Sequence, residues 1–146
     1  MNINFIKLHK NAHIPVCGTQ NSAGIDLVAC LDANIVLQPH GIALVSSGIA
    51  MEIPVGSFGM VCSRSGLAVK YGVIVLNAPG VIDSDYRGEV KVVLINHSAK
   101  DFVIEHGMKI AQLVVLHHEN LLMIEVGDLT QTQRNTGGFG STGEKI

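Results

Sequence analysis

Apolar positions fall into short runs along nearly the whole chain, and most runs end on a turn signal. Ile3 to Leu8 alternates apolar and polar residues and predicts a first strand. Asn11 to Asn21 reads as a polar loop, and Ser22 to Ala29 as a strand entered through Gly24. Ile35–Leu37, Gly41–Ser46, Ile49–Ile53 and Ser57–Ser63 follow as short strands. Pro39-His40-Gly41, Ser47-Gly48 and Pro54-Val55-Gly56 mark the turns between them. Ser63 to Lys70 breaks this rhythm and predicts one short helix, N-capped by Ser63 or Ser65 and carrying Leu67 and Ala68. Val73 to Leu76 is an uninterrupted apolar strand. After the Asn77-Ala78-Pro79-Gly80 turn come Val81-Ile82, Val90–Asn96, Phe102–Ile104, a long strand from Gly107 to Leu116, and a last strand from Leu121 to Val126. This spacing predicts an all-β domain, a jelly-roll-like barrel or sandwich with one short helix.

The remaining C-terminal stretch has a different character. Residues 134–146 hold four glycines around a single aromatic, Phe139, and almost nothing to bury. We read them as a flexible glycine-rich tail on a β domain of residues 1–133.

Composition adds limits. A chain of 146 residues suits one domain with a real core. With 4% aromatics and no Trp, Val, Ile and Leu must fill it. A net charge of −2 makes no electrostatic case for nucleic acid or membrane binding. No run is apolar and long enough to span a bilayer, and Met1 to Lys10 lacks a signal-peptide pattern. Cys17, Cys30 and Cys62 are odd in number and widely spaced, as packed thiols in a reducing, cytoplasmic compartment would be.

Several polar residues interrupt these apolar patterns. Asp26 stands between Ile25 and Leu27, where it either faces water or needs a partner. Arg64, Ser65 and Gly66 at a helix start offer a guanidinium, a hydroxyl and N–H donors to a phosphate; an ordinary capped turn has the same sequence. Asp83, Ser84, Asp85, Tyr86, Arg87 and Glu89 gather at the end of an apolar hairpin, as a reactive edge or as a surface turn. Gln112 is a lone amide in an apolar strand, either a satisfied core group or a ligand contact. His117 and His118 are adjacent in a strand and point to opposite faces, which argues against a shared ion. The tail's free N–H groups and its one ring suit a phosphorylated ligand carrying a base. No Lys follows in the position a Walker loop requires.

Taken together and in this order, these residues resemble the trimeric deoxyuridine triphosphatases (dUTPases). The resemblance rests on Ala23-Gly24-Ile25-Asp26-Leu27, Arg64-Ser65-Gly66-Leu67-Ala68, Asn77-Ala78-Pro79-Gly80 through Val90, Gly107 to Leu113, and Arg134 through Gly143. It implies a jelly-roll subunit, a homotrimer with active sites at subunit interfaces, and hydrolysis of dUTP to dUMP and pyrophosphate. It implies Asp83 as the general base for water attack on the α-phosphorus. Mg²⁺ would be held mainly by the triphosphate, with Asp26 in its outer shell. Arg64, Ser65 and Gly66 would grip phosphates, and Gln112 would orient phosphate or water. Asn77, Gly80, Val81 and Ile82 would line the uracil site, Tyr86 would pack beneath the deoxyribose, and the Lys91 backbone would meet the base. Phe139 would stack on uracil, while Arg134, Gly140, Ser141 and Thr142 close over the phosphates. Ser63 stands where the family often has Pro, Asn135-Thr136 replaces a frequent Gly-Glu, and Met108-Lys109 replaces a frequent acidic-Arg pair, which puts one support of the phosphate site in question. A dCTP deaminase of the same fold and a non-enzymatic trimeric nucleotide-binding module are the alternatives. The Asp83–Tyr86 hairpin and the glycine-rich tail favour the hydrolase over both.

Overall fold

The computed structural model describes residues 2–141. Eleven strands and one helix follow in the order β1 (Asn4–Lys7), β2 (Gly24–Val28), β3 (Ile35–Leu37), β4 (Ile42–Ser46), β5 (Ile49–Glu52), β6 (Ser57–Cys62), α1 (Ser65–Tyr71), β7 (Val73–Val75), β8 (Gly80–Ile82), β9 (Lys91–Asn96), β10 (Phe102–Ile104) and β11 (Lys109–His117). The paired strands are antiparallel throughout. A four-stranded sheet runs β2-β11-β6-β8 and a three-stranded sheet β4-β9-β7, flanked by the ribbons β1-β5 and β10-β3. The strands therefore build a jelly-roll-like arrangement, and among the described residues they do not close into a barrel.

The core is a single cluster of aliphatic side chains. Leu27, Ile49, Leu94, Ile104, Ile110 and Leu113 are among its fully buried members. Strict alternation explains the sheet faces: along β6 every second residue is buried, so one face packs inward and the other stays partly wet. Asn96 is completely buried and fully used. Its Nδ2 donates to Leu37 O and Lys100 O, and its Oδ1 accepts from Ser98 N.

Two local expectations are corrected. Neither Ser63 nor Ser65 caps α1: Arg64 occupies the N-cap, its side chain makes no capping bond to the helix, and the Ser63 hydroxyl instead accepts from Val75 N at 2.9 Å. The helix ends on Gly72 in the left-handed region at φ 65°. The strand expected over residues 121–126 does not form. No regular element follows His117 among the described residues, and Leu121, Leu122, Met123, Ile124 and Leu129 lie exposed. A strand needs a facing edge for its N–H and C=O groups, and among the described residues none pairs with this segment. No helix is long and apolar enough to cross a membrane among the described residues.

The three thiols differ in setting. Cys17 is exposed, whereas Cys30 is buried with its Sγ 3.4 Å from His9 Nδ1. Burial, then the nearby Glu89 and Asp32 carboxylates, push the Cys30 thiol above its usual range. In the native protein at neutral pH a chromogenic disulfide reagent is expected to modify Cys17 promptly and Cys30 only on the timescale of unfolding. Prompt native labelling of Cys30, read by peptide mass mapping, would contradict this packing.

Candidate active site

Strand pairing brings three distant parts of the sequence to one end of the four-stranded sheet. Gln112 on the central strand β11 lies opposite Asp26 of β2 on one side and Cys62 of β6 on the other. The chain leaving β6 passes through Ser63 and Arg64 directly into α1. Asp26, 15% exposed in its side chain, takes Arg64 Nε on Oδ1 at 3.3 Å and Lys109 Nζ on Oδ2 at 2.6 Å. Arg64 Nη1 also donates to Lys109 O at 3.0 Å, and Gln112 Nε2 donates to Ser63 O at 3.2 Å. Asp26, Arg64, Ser65, Gly66, Lys109 and Gln112 line one open cavity of about 480 Å³.

This end can accommodate an anion. Two cations on one carboxylate leave a net positive charge facing the cavity. The N–H groups of Leu67 and Ala68 both turn to Arg64 O, whereas those of Ser65 and Gly66 have no partner among the described residues. Space above Gly66 is open, so a phosphate oxygen can approach its backbone. Of the two readings of Asp26, the structure adopts the paired one. Lys109, which the sequence left as a doubtful replacement, supplies half of that pairing. The available signal was a cation three residues before the lone amide of the same strand.

The second cluster sits on β8 and the loop after it. The Asn77–Gly80 turn contains a cis Ala78–Pro79 peptide bond, and Gly80 is buried there. A Cβ on Gly80 would lie 3.2 Å from Asn77 Nδ2 and 3.4 Å from Val61 Cβ, so glycine is needed for this close approach, not for a positive φ. Val81, Ile82, Asp83, Tyr86, Glu89 and Lys91 line a cavity of about 330 Å³. The Tyr86 hydroxyl donates to Glu89 O at 3.1 Å. The Glu89 carboxylate in turn accepts from Gly48 N at 2.8 Å and meets Lys91 Nζ at 3.4 Å. Glu89 is thus a support that sequence reasoning did not single out. Asp83 is exposed and makes no ion pair or side-chain hydrogen bond among the described residues.

These two clusters do not meet. β8 runs antiparallel to β6 with Gly80 opposite Val61 and Ile82 opposite Gly59. Asp83 therefore leaves the sheet beside the start of β6, whereas Arg64 leaves it beyond the other end. At ~3.3 Å per strand residue the two are separated by roughly 20 Å along the sheet. The tail is a third, separate piece. Arg134 Nε donates to Gly137 O at 2.9 Å, Ser141 N donates to Gly138 O at 3.0 Å, and the Phe139 ring is wholly exposed. Thr142 lies outside the described residues. His117 and His118 engage different partners, Ser57 Oγ for the first and the Phe58 ring edge for the second.

A family model described as dUTPase matches residues 10–143. The deoxyuridine 5'-triphosphate nucleotidohydrolase of Rickettsia akari (strain Hartford) is 46% identical over 147 residues, spanning 98% of this chain and 99% of its own. That of Hydrogenobaculum sp. (strain Y04AAS1) is 49% identical over 139 residues, spanning 95% and 96%. Among solved structures, a mutant of the Staphylococcus bacteriophage 80alpha dUTPase with dUpNHpp superposes with a TM-score of 0.90 at 25% identity, covering 97% of this chain and 98% of that one.

The shared carboxylate predicts its own cost of removal. Asp26→Ala leaves Arg64 and Lys109 side by side without a counter-charge and is expected to destabilise the fold by roughly 1–3 kcal/mol. The midpoint of urea unfolding measures this, and an unchanged midpoint would show that the bridge carries no stability.

Proposed function

The chain belongs to the dUTPase family, and from that membership and the geometry above we propose that it hydrolyses dUTP to dUMP and pyrophosphate, with three copies assembling each active site between them. The observation that carries the assembly is the opposite placement of the two clusters along the sheet. The water held by Asp83 and the groups that grip the phosphates must all lie within contact distance of one short phosphate chain, whereas within a single chain roughly 20 Å separates them. Phosphate grip from one subunit and hairpin from another bring the two together, and the tail of a third reaches over them. The domain division follows the same reading: residues 1–133 form the β domain and the tail from Arg134 onward is the lid. A cytoplasmic location belongs to it as well.

Asp83 acts as general base. Its exposed carboxylate, which has no ion-pair partner among the described residues, can take a proton from water as that water attacks the α-phosphorus. No covalent intermediate is required. The water oxygen bonds to phosphorus as the bond to the bridging oxygen of pyrophosphate breaks, and the leaving group carries the charge away. Arg64, the N–H groups of Ser65 and Gly66, and Gln112 bind and orient the phosphates, and the net positive charge of the Asp26 bridge favours the polyanionic chain.

The residues present fit a magnesium ion carried in on the triphosphate. Among the described residues, no group of three or more His, Cys, Asp or Glu is placed to hold an ion. Asp26 still has a lone pair on each oxygen for metal-bound water beyond its two cations. When bound, the ion would offset charge developing on the phosphate oxygens.

Base selection lies in the hairpin. Backbone groups from Gly80 to Asp83, with the Asn77 amide and the Lys91 backbone nearby, can match uracil's acceptor–donor–acceptor edge. The amino group of cytosine would leave a buried partner unsatisfied, which is the strong form of discrimination. Tyr86, tied by its hydroxyl to Glu89 O, packs under the deoxyribose where a 2′-hydroxyl would collide. Phe139 stacks on the base when the tail closes, with Arg134, Gly140, Ser141 and Thr142 over the phosphates. Ordering such a segment costs roughly 1–2 kcal/mol per residue, so it closes only on a full triphosphate ligand.

Separate incubations with dUTP, dCTP, dTTP and UTP in Mg²⁺, resolved by ion exchange, are expected to yield dUMP and pyrophosphate from dUTP alone. Deamination of dCTP would move the protein to another reaction. In Asp83→Asn, turnover is expected to fall by roughly 10²–10⁴-fold with dUTP binding retained. Unchanged turnover would remove Asp83 as the base.

A further inference from the structure

The proposed base and sugar platform sit on a turn with few anchors. Within residues 83–87 the internal bonds are local, chiefly Tyr86 N to Asp83 O at 3.1 Å. Among the described residues, one side chain of this turn reaches another strand, and it is Arg87. Its Nη1 donates to Ser84 O at 2.7 Å and to Tyr86 O at 3.0 Å. Its Nη2 meets Glu52 Oε1 at 3.1 Å, at the end of β5. Glu52 is itself held from the other side, its Oε2 accepting from Asn4 Nδ2 of β1 at 3.0 Å. Asn4 and Glu52 face each other in the β1–β5 register, so the whole ribbon stands behind this carboxylate.

We propose that Arg87 and Glu52 are positioning residues for the reaction, a proposal that rests on the hydrolase reading above. Arg87 fixes the peptide planes after Ser84 and after Tyr86, and with them the aim of the Asp83 carboxylate and the Tyr86 ring. Glu52, braced by Asn4, fixes Arg87. A planar fork with several donors is the group that can hold two carbonyls and a carboxylate at once, and an ammonium cannot reproduce that geometry. The Asn4 hydrogen bond first, and then the Arg87 charge, hold Glu52 below the usual carboxylate range, so the link stays charged at neutral pH. Both side chains are about half exposed, 55% for Arg87 and 51% for Glu52. A pair in that setting adds little to stability. Its effect lies in placement, where a small displacement of a reacting group is costly in rate.

The test compares Arg87→Met, Arg87→Lys, Glu52→Gln and the Arg87→Met/Glu52→Gln double variant with the parent, by steady-state dUTP hydrolysis, melting temperature and amide exchange across residues 83–88. In Arg87→Met, kcat is expected to fall about tenfold with KM changed less than about twofold. Glu52→Gln should lose about threefold and Arg87→Lys an intermediate amount. The double variant should be no worse than Arg87→Met, because both act through one link. Exchange across the turn should quicken in step with the loss of kcat, while the melting temperature moves by no more than about 2–4 °C. Unchanged kcat and exchange in Arg87→Met would overturn the proposal, as would losses that multiply in the double variant. A rate loss matched by general destabilisation would show a merely structural role and overturn it too. A parent protein that does not turn over dUTP would sink the hydrolase reading alone, and exchange across the turn would then decide the tether by itself.

Discussion

One carboxylate shared by two cations underlies the cavity at the Gln112 end of the four-stranded sheet. Arg64 and Lys109 are like charges brought to the mouth of one cavity, and side by side such a pair repels. Asp26 removes that repulsion by taking one cation on each oxygen. It does so across three elements, since it belongs to β2, Lys109 to β11 and Arg64 to the N-cap of α1. The bridge therefore sets the relative positions of strand, strand and helix start, and the groups lining this cavity are fixed relative to it. The carbonyl of Lys109, which receives Arg64 Nη1, ties side chain and backbone into the same unit.

Antiparallel topology then decides what one chain can and cannot do. β6 leads into the Arg64–Gly66 segment at its C-terminal end and pairs with β8, which carries the hairpin away from the opposite end. No adjustment of side chains undoes that separation, because it follows from strand direction. The hairpin turn in its place is held by Glu89 from within the loop and by Glu52 from β5, a distant strand. The hairpin residues and their supports thus come from different stretches of sequence with different local signals.

Much of this was legible before any coordinates. The strand from Lys109 to His117, the short helix around Leu67 and the buried run Val73–Val75 follow from apolar period and turn residues, and they appear within a residue or two of expectation. Leu121–Val126 was misread because its apolar content resembles a strand, while strand formation depends on a facing edge that local sequence does not report. The capping of α1 was misread because the Ser63 hydroxyl had a competing use, Val75 N, which only the fold brings near. Asp26 could be identified as unusual but not as paired, since its partners lie dozens of residues away. Arg87 stood in plain view within the hairpin, yet its role depends on Glu52 and Asn4, which no spacing rule connects to it.

The arm after His117 has a thermodynamic consequence. Leu121, Leu122, Met123, Ile124 and Leu129 are exposed within the single chain, and full burial of such side chains is worth about 1.5–3 kcal/mol each. A chain that leaves this surface uncovered can recover that free energy only from another molecule. Where it does so, stability obeys mass action: dilution weakens the native state, refolding acquires a step that depends on concentration, and a melting temperature has meaning only beside the protein concentration at which it was taken.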